Sequence, residues 1–217
     1  QTIFSIKFSI RNQFMNNIVE TQGSLEAVLK DEIVRMYQEV ADNPGHEFHF
    51  FHSRQAAEMF DYNPEWLNRA TAGSVASFAG VGNPRLRSNL QPGETVLDLG
   101  SGAGLDAIIA SWLVGTTGKV IGVDLNPSMC LKAQTHAAQG NTTMECHEGK
   151  MEAIPVQYET VDVVISNGVI NLSFQKRKVV QEIFRVLKPG GRISITDIVS
   201  AKQLSQSIVN DPKLRAS

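Results

Sequence analysis

Three groups of residues in this chain have the types and spacing to do chemistry. The first is Thr95-Val-Leu-Asp-Leu-Gly-Ser-Gly-Ala-Gly-Leu-Asp106, an apolar run that meets an acid at Asp98 and then alternating glycines. Val120-Ile-Gly-Val-Asp124 follows, a second apolar run ending in a carboxylate. A strand that turns on glycines into a helix leaves bare backbone and unpaired N–H groups facing a ligand, and an acid about twenty residues on accepts hydrogen bonds from ribose hydroxyls. That is the pattern of a nucleotide-cofactor site. Gly100 and Gly102 supply turn and clearance, while Gly104 is expected to let the helix at 105–114 pack closely on its strand.

The second group, His46-Glu-Phe-His49-Phe-Phe-His52, sets three histidines at successive threes beside Glu47. Zinc ligation or base catalysis draws on such residues, but the spacing fits one helical face only loosely. The interleaved aromatics favour an irregular or extended lid whose histidines are satisfied by hydrogen bonds. No metal is expected, and His49 and His52 stand as candidates to face a substrate. The third group is Cys130 and Cys146, placed in a helix and a strand. In different contexts, each reads as buried filler, with no disulfide framework and a reducing, cytoplasmic setting.

The glycine spacing also discriminates between cofactors. A dinucleotide fingerprint requires Gly-x-Gly-x-x-Gly, and the slot for its third glycine holds Leu105. Asp98, just before the turn, repels a pyrophosphate and suits a ligand carrying an ammonium and a sulfonium. An NAD(P)-dependent oxidoreductase is accordingly a third choice.

The surrounding elements must hold these residues in place. At 217 residues and 42% hydrophobic content the chain buries one substantial core. Its net charge of −2 gives no long-range pull toward nucleic acid or an anionic membrane, so a small-molecule partner is expected. No apolar run is long enough to span a bilayer, and residues 1–20 lack the regions of a signal peptide. Phe4 to Ile10 alternates with a period of two, as a strand does, and 24–40 carries apolar residues at helical spacing after a Ser24 cap. Asn63 before Pro64 predicts another helix start. Beyond Pro92-Gly93 strands near 95–99, 119–124, 142–147, 161–166 and 192–197 alternate with helices near 105–114, 127–139 and 176–187. Such alternation predicts an α/β fold with a doubly wound parallel sheet. Residues 1–90 then form an N-terminal helical extension or lid, and 91–217 the cofactor-binding core, within one compact domain.

Asp98-Leu-Gly-Ser-Gly-Ala-Gly104 resembles motif I of class I S-adenosylmethionine-dependent methyltransferases. Taken with Gly80-Val-Gly-Asn-Pro84, Ile165-Ser-Asn-Gly-Val-Ile-Asn-Leu172 and Arg185-Val-Leu-Lys-Pro-Gly-Gly191, it is similar to the arsenite methyltransferase-like family over roughly residues 30–217. The resemblance implies a Rossmann-like core, S-adenosylmethionine as cofactor and a small-molecule methyl acceptor. Expected cofactor contacts are Asp98, Gly100, Ser101 and Gly102 at the turn, with Asp124 and Leu125 after the second strand. Met151 and Glu152 follow the third strand in a turn that flanks adenine in similar enzymes, where Lys150 replaces the usual acid. Glu152 also suits a helix start. Tyr37 matches a tyrosine that covers the cofactor, and Asn167 is placed to orient its amine or the incoming nucleophile, as a candidate catalytic residue. Asn171 reads more readily as a helix cap beside Ser173. In the family an arsenic-binding cysteine stands where this chain has Gly168. A non-catalytic or regulatory S-adenosylmethionine binder is the alternative. Residues 200–217 hold one helix but not two strands, so the antiparallel pair that usually ends this fold is expected to be lacking. A fragment, a minimal core and a subunit completed by a neighbour all stay open.

Overall fold

The computed structural model describes residues 27–28, 31–40, 42, 52–142 and 144–200. Tyr37–Ala201 form one compact unit, and Gln1–Met36 with Lys202–Ser217 another. In the second of these, the described residues 27–28 and 31–36 are helical. The strand expected at Phe4 to Ile10, together with His46 and His49, lies outside the described residues. The change of pattern at residue 90 falls inside the unit Tyr37–Ala201 and does not separate two compact bodies.

That unit is built on a sheet of β1 (Thr95–Leu99), β2 (Lys119–Asp124), β3 (Glu145–Glu148), β4 (Val161–Asn167) and β5 (Leu187–Thr196). Their order is β3-β2-β1-β4-β5, and every pairing is parallel. Parallel strands need crossovers, supplied here by α6 (Leu105–Val114), α7 (Pro127–Gln139) and α8 (Lys176–Val186). Ahead of the sheet come α1 (31–40), α2 (Ser53–Met59), α3 (Pro64–Arg69), α4 (Ala72–Ala76) and α5 (Arg85–Ser88). Asn63 caps α3 by accepting from the Glu65 N–H at 2.8 Å, with Pro64 in the first turn.

Alternate residues of the central strands face opposite layers. Leu97, Leu99, Ile121, Val123 and Val164 pack with Val179, Ile183 and Val186 of α8. Val96, Val120, Val163 and Ile165 pack with Ala107, Ala110 and Val114 of α6. The fold is thus the doubly wound α/β class expected from the alternation. α6 is enclosed on its outer side as well, where Leu105 and Ile109 meet Ala56, Ala57, Leu67 and Val75 of α2 to α4. Such a helix reads as apolar all round, which makes its one carboxylate, Asp106, conspicuous.

Two boundaries differ from the expected ones for local reasons. β3 begins at Glu145 because Thr142 is taken up by the end of α7: its N–H donates to Ala137 O at 3.0 Å and its hydroxyl meets Ser111 Oγ at 2.5 Å. β5 begins early, at Leu187 opposite Val161, then loops out Lys188-Pro-Gly-Gly191 before Arg192 pairs with Val163. The Lys-Pro-Gly-Gly segment, which lies ahead of the strand expected at 192–197, therefore interrupts the pairing within the observed strand. Arg192 anchors this edge through Glu94 at 2.6 and 2.8 Å and the carbonyls of Ser88 and Asn89.

Candidate functional site

The strand order reverses between β1 and β4, so a crevice opens beyond their carboxyl ends, where ligands of doubly wound sheets bind. Leu99, Asp124 and Asn167 close the three central strands there. Gly100, with φ +77°, makes the turn, and a Cβ at this position would lie 2.5 Å from Val169 Cγ2. The chain after β4 therefore comes down directly on the turn. At Gly104 a Cβ would meet Ala133 of α7 at 2.9 Å. Its missing side chain thus serves contact with α7, a correction to the expectation that it seats α6 on β1.

Asp124 and the turn shape each other. Its Oδ2 accepts from the Gly102 N–H at 2.8 Å and its Oδ1 from the Asn126 N–H at 2.9 Å. Burial pushes the Asp124 carboxyl up, against the hydrogen bonds from Asn126, Gly102 and Leu125. With three backbone donors on its two oxygens, the carboxylate keeps one lone-pair position for a ligand hydroxyl. Leu125, half-buried, contributes its N–H to this carboxylate. Asn126 Nδ2 donates in turn to Gln38 Oε1 at 2.9 Å, and Lys132 pairs with Asp42 at 2.8 Å. These contacts hold residues 38 and 42 over the start of α7. Tyr37 packs there against Ala103 of the turn and Met129, and burial, Asp124 and Asp197 push its phenol up to about 12.

Asp98 is 2% exposed, and its Oδ2 is buried without a hydrogen-bond partner. The same carboxylate accepts from the Ala107 N–H in the first turn of α6. Burial raises its pKa well above the usual carboxylate value, with Asp106 and Asp124 adding to the rise and Arg85 opposing it. Three carboxylates thus share this region with one buried guanidinium. An orphaned buried oxygen amid excess negative charge fits a cationic group, as an ammonium or sulfonium would be, and opposes a phosphate.

A polar network that composition and periodicity did not reveal lies behind the crevice. Asp106 Oδ1 accepts from Tyr62 OH at 2.7 Å and Arg85 Nη1 at 3.1 Å, and its Oδ2 from Asn167 Nδ2 at 3.1 Å. Arg85 is stacked over the rings of Tyr62 and Trp66 at 4.5 and 5.1 Å. Asn167 Oδ1 accepts from the Val81 N–H and Thr196 Oγ1, each at 2.9 Å, while Nδ2 also donates to Gly82 O at 2.9 Å and to Tyr62 OH at 3.2 Å. The amide expected to orient a ligand is thereby engaged on both ends by protein. Its observed part is to clamp the Gly80-Val81-Gly82 segment onto the end of β4.

Of the remaining candidates, Met151 packs on the core cluster beneath the β3 turn. Glu152 accepts a short hydrogen bond from Ser173 Oγ, and so ties that turn to the approach to α8; no helix begins at it. Asn171 caps nothing through its side chain: its N–H donates to Asp197 at 3.0 Å and its Oδ1 is a second buried acceptor without a partner. His52 sits at the N-cap of α2 with no side-chain cap bond. His136, unremarked in the sequence, joins Ala103 O at 3.0 Å and fills the space over Gly73.

The cysteines depart most from expectation. α7 runs back over β3, and this brings the Cys130 and Cys146 sulfurs to 2.7 Å, with Ser101 Oγ 3.5 Å from Cys146. They share one setting, at the wall of the glycine turn. Gly168, where the resemblance places a cysteine, has φ +78°, and a Cβ there would face Val81 at 3.2 Å. Its backbone is in the region that favours glycine. Among the described residues no cluster of metal-ligating side chains forms, and no helix is long and apolar enough to cross a membrane.

Residues 90–216 match the methyltransferase domain family. The chain is 45% identical over 134 residues to the arsenite methyltransferase of Halobacterium salinarum, a match covering 61% of this chain and 34% of that protein. It is 39% identical over 115 residues to a ubiquinone/menaquinone biosynthesis C-methyltransferase of Salmonella arizonae, covering 51% and 45%. A solved arsenic(III) S-adenosylmethionine methyltransferase from Chlamydomonas reinhardtii superposes with TM-score 0.59 at 35% identity, covering 74% of this chain and 53% of that one. The chain spans about a third of the length of the arsenite methyltransferases it matches.

Proposed function

The chain belongs to the methyltransferase domain family, and on that footing we propose that it is an S-adenosylmethionine-dependent methyltransferase of the arsenite methyltransferase-like kind, acting on a small-molecule acceptor. The observation that carries the reading is the orphaned, buried Asp98 oxygen at the foot of the glycine turn. A ligand ammonium would satisfy it, and the surplus of carboxylate around it would favour the cofactor's second cation. Asp124 and the N–H groups of the turn would hold the ribose side, with Tyr37 and Met151 as apolar walls.

S-adenosylmethionine supplies a methyl group on a sulfonium, whose sulfur departs as a neutral thioether. The chain's own contribution is positioning and exclusion of water. The Asn167 clamp fixes the Gly80–Gly82 segment, Val169 covers the turn, and α1 holds Tyr37 against Ala103. A soft nucleophile such as a thiol or a thiol adduct of arsenite needs no strong base.

Gly168 favours a second reading, in which the chain binds the cofactor without methylating arsenite, because the position carries neither a thiol nor a backbone suited to one. Transfer of a labelled methyl group to arsenite with thiol, to thiols alone and to amines separates the two. Turnover on any of these supports the enzyme. Cofactor binding with no turnover on all three favours the non-catalytic relative.

A further inference from the structure

Cys130 and Cys146 are the two cysteines of the sequence. Their sulfurs lie 2.7 Å apart, about 0.7 Å beyond the ~2.05 Å of a covalent bond between them. One stands on α7 and the other on β3, and Gln134 of the same helix donates to Cys146 O at 3.1 Å. Regular elements therefore hold the pair in register. Cys130 is 5% exposed and Cys146 half-buried, so a solvent-borne reagent has a route to one sulfur while the other waits behind it. Beyond the pair lie Ser101 Oγ, 3.5 Å from Cys146, and the backbone of Asp124, which hydrogen-bonds Cys130. The dithiol is thus built into the wall of the cofactor crevice, and nothing in the methyl-transfer reading uses it.

We propose that Cys130 and Cys146 are a reversible two-electron dithiol–disulfide site, oxidised by low-molecular-weight disulfides. The thiolate of one cysteine attacks a sulfur of the small disulfide, forms a mixed disulfide and expels one thiolate. The second cysteine, as thiolate, then attacks the first sulfur, closes the protein bridge and expels the other thiolate. The two protons of the cysteines end on the two released thiols, and the electrons lost by the protein reduce the small disulfide. Cys146 donates the S–H···S bond to Cys130, which lowers the pKa of the Cys130 thiol and raises that of Cys146, so Cys130 is the sulfur poised as thiolate to close the bridge once Cys146 has formed the mixed disulfide.

The test uses the reduced 217-residue protein, exposed to oxidised glutathione, quenched in acid, alkylated and weighed intact. The expected product has lost two hydrogens, carries no glutathione and offers neither cysteine to the alkylating reagent; dithiothreitol restores both. C130S is expected to stop at a stable glutathione adduct on Cys146. A wild-type protein that keeps both thiols alkylatable, or that stops at a glutathione adduct, overturns the proposal. The readout is independent of cofactor binding, so this proposal and the methyltransferase reading fail separately.

Discussion

Asp98→Asn separates what the buried carboxylate does for the ligand from what it does to the fold. One of its oxygens accepts from Ala107 and the other has no partner, at 2% exposure. A hydrogen bond between a charged donor and such a carboxylate contributes about 1.5–3 kcal/mol. Loss of the charge is therefore expected to weaken S-adenosylmethionine roughly 10- to 100-fold. Stability should move the other way. The carboxyl's folded pKa is raised, so between its unfolded value of ~3.9 and that raised value the folded state holds a proton that the unfolded state has released. Stability from this group consequently falls as pH rises through the window, and Asp98→Asn removes the loss. At neutral pH the variant is expected to gain up to about 1–3 kcal/mol, the desolvation penalty of an unsatisfied buried acceptor. Binding a cation at Asp98 should also release a proton when the apo carboxyl is protonated, so the wild-type binding enthalpy depends on the buffer and the variant's does not. Calorimetry in two buffers, with urea unfolding of both proteins, measures all of this. Unchanged affinity in Asp98→Asn, or lost affinity accompanied by lost stability, would refute the reasoning.

Further outcomes follow from the clamp and from the glycine at the family's cysteine position. Asn167→Ala leaves Val81 N–H, Gly82 O and Asp106 with fewer partners. It is expected to cost about 2–4 kcal/mol in urea unfolding and to loosen the Gly80–Gly82 segment, seen as faster amide exchange there. Gly168→Cys places a side chain at φ +78° against Val81. An expected loss of about 1–2 kcal/mol, read as a melting point lower by a few degrees, accompanies no gain in arsenite turnover; a gain in both stability and turnover would contradict the account of this position.

The central strands were legible because β1, β2 and β4 are buried on both faces and so read as continuous apolar runs between turn signals. β3 was misplaced at its start because it is a polar edge strand of four residues, where periodicity carries little information. At the site, the glycines and Asp124 were visible because their spacing is local. The Asp106, Tyr62, Arg85 and Asn167 network was not, since its members lie up to 105 positions apart and only the fold brings them together. One signal was nevertheless present, namely a lone carboxylate at Asp106 in a helix otherwise apolar on every side, which demands partners. The cysteine pair was missed for a related reason. Residues on a helix and on the following strand meet only when the register of the crossover is known, and a separation of 16 positions does not fix it.

The most direct measurement is titration of S-adenosylmethionine into the wild-type protein and into Asp124→Ala by calorimetry, with circular dichroism confirming that both are folded. The account predicts one saturable site in the wild type and binding weakened by at least roughly tenfold in the variant, which loses the carboxylate that joins Gly102 to Asn126. A folded wild-type protein that takes up no S-adenosylmethionine, or a variant that binds it equally well, would contradict the assignment of this crevice.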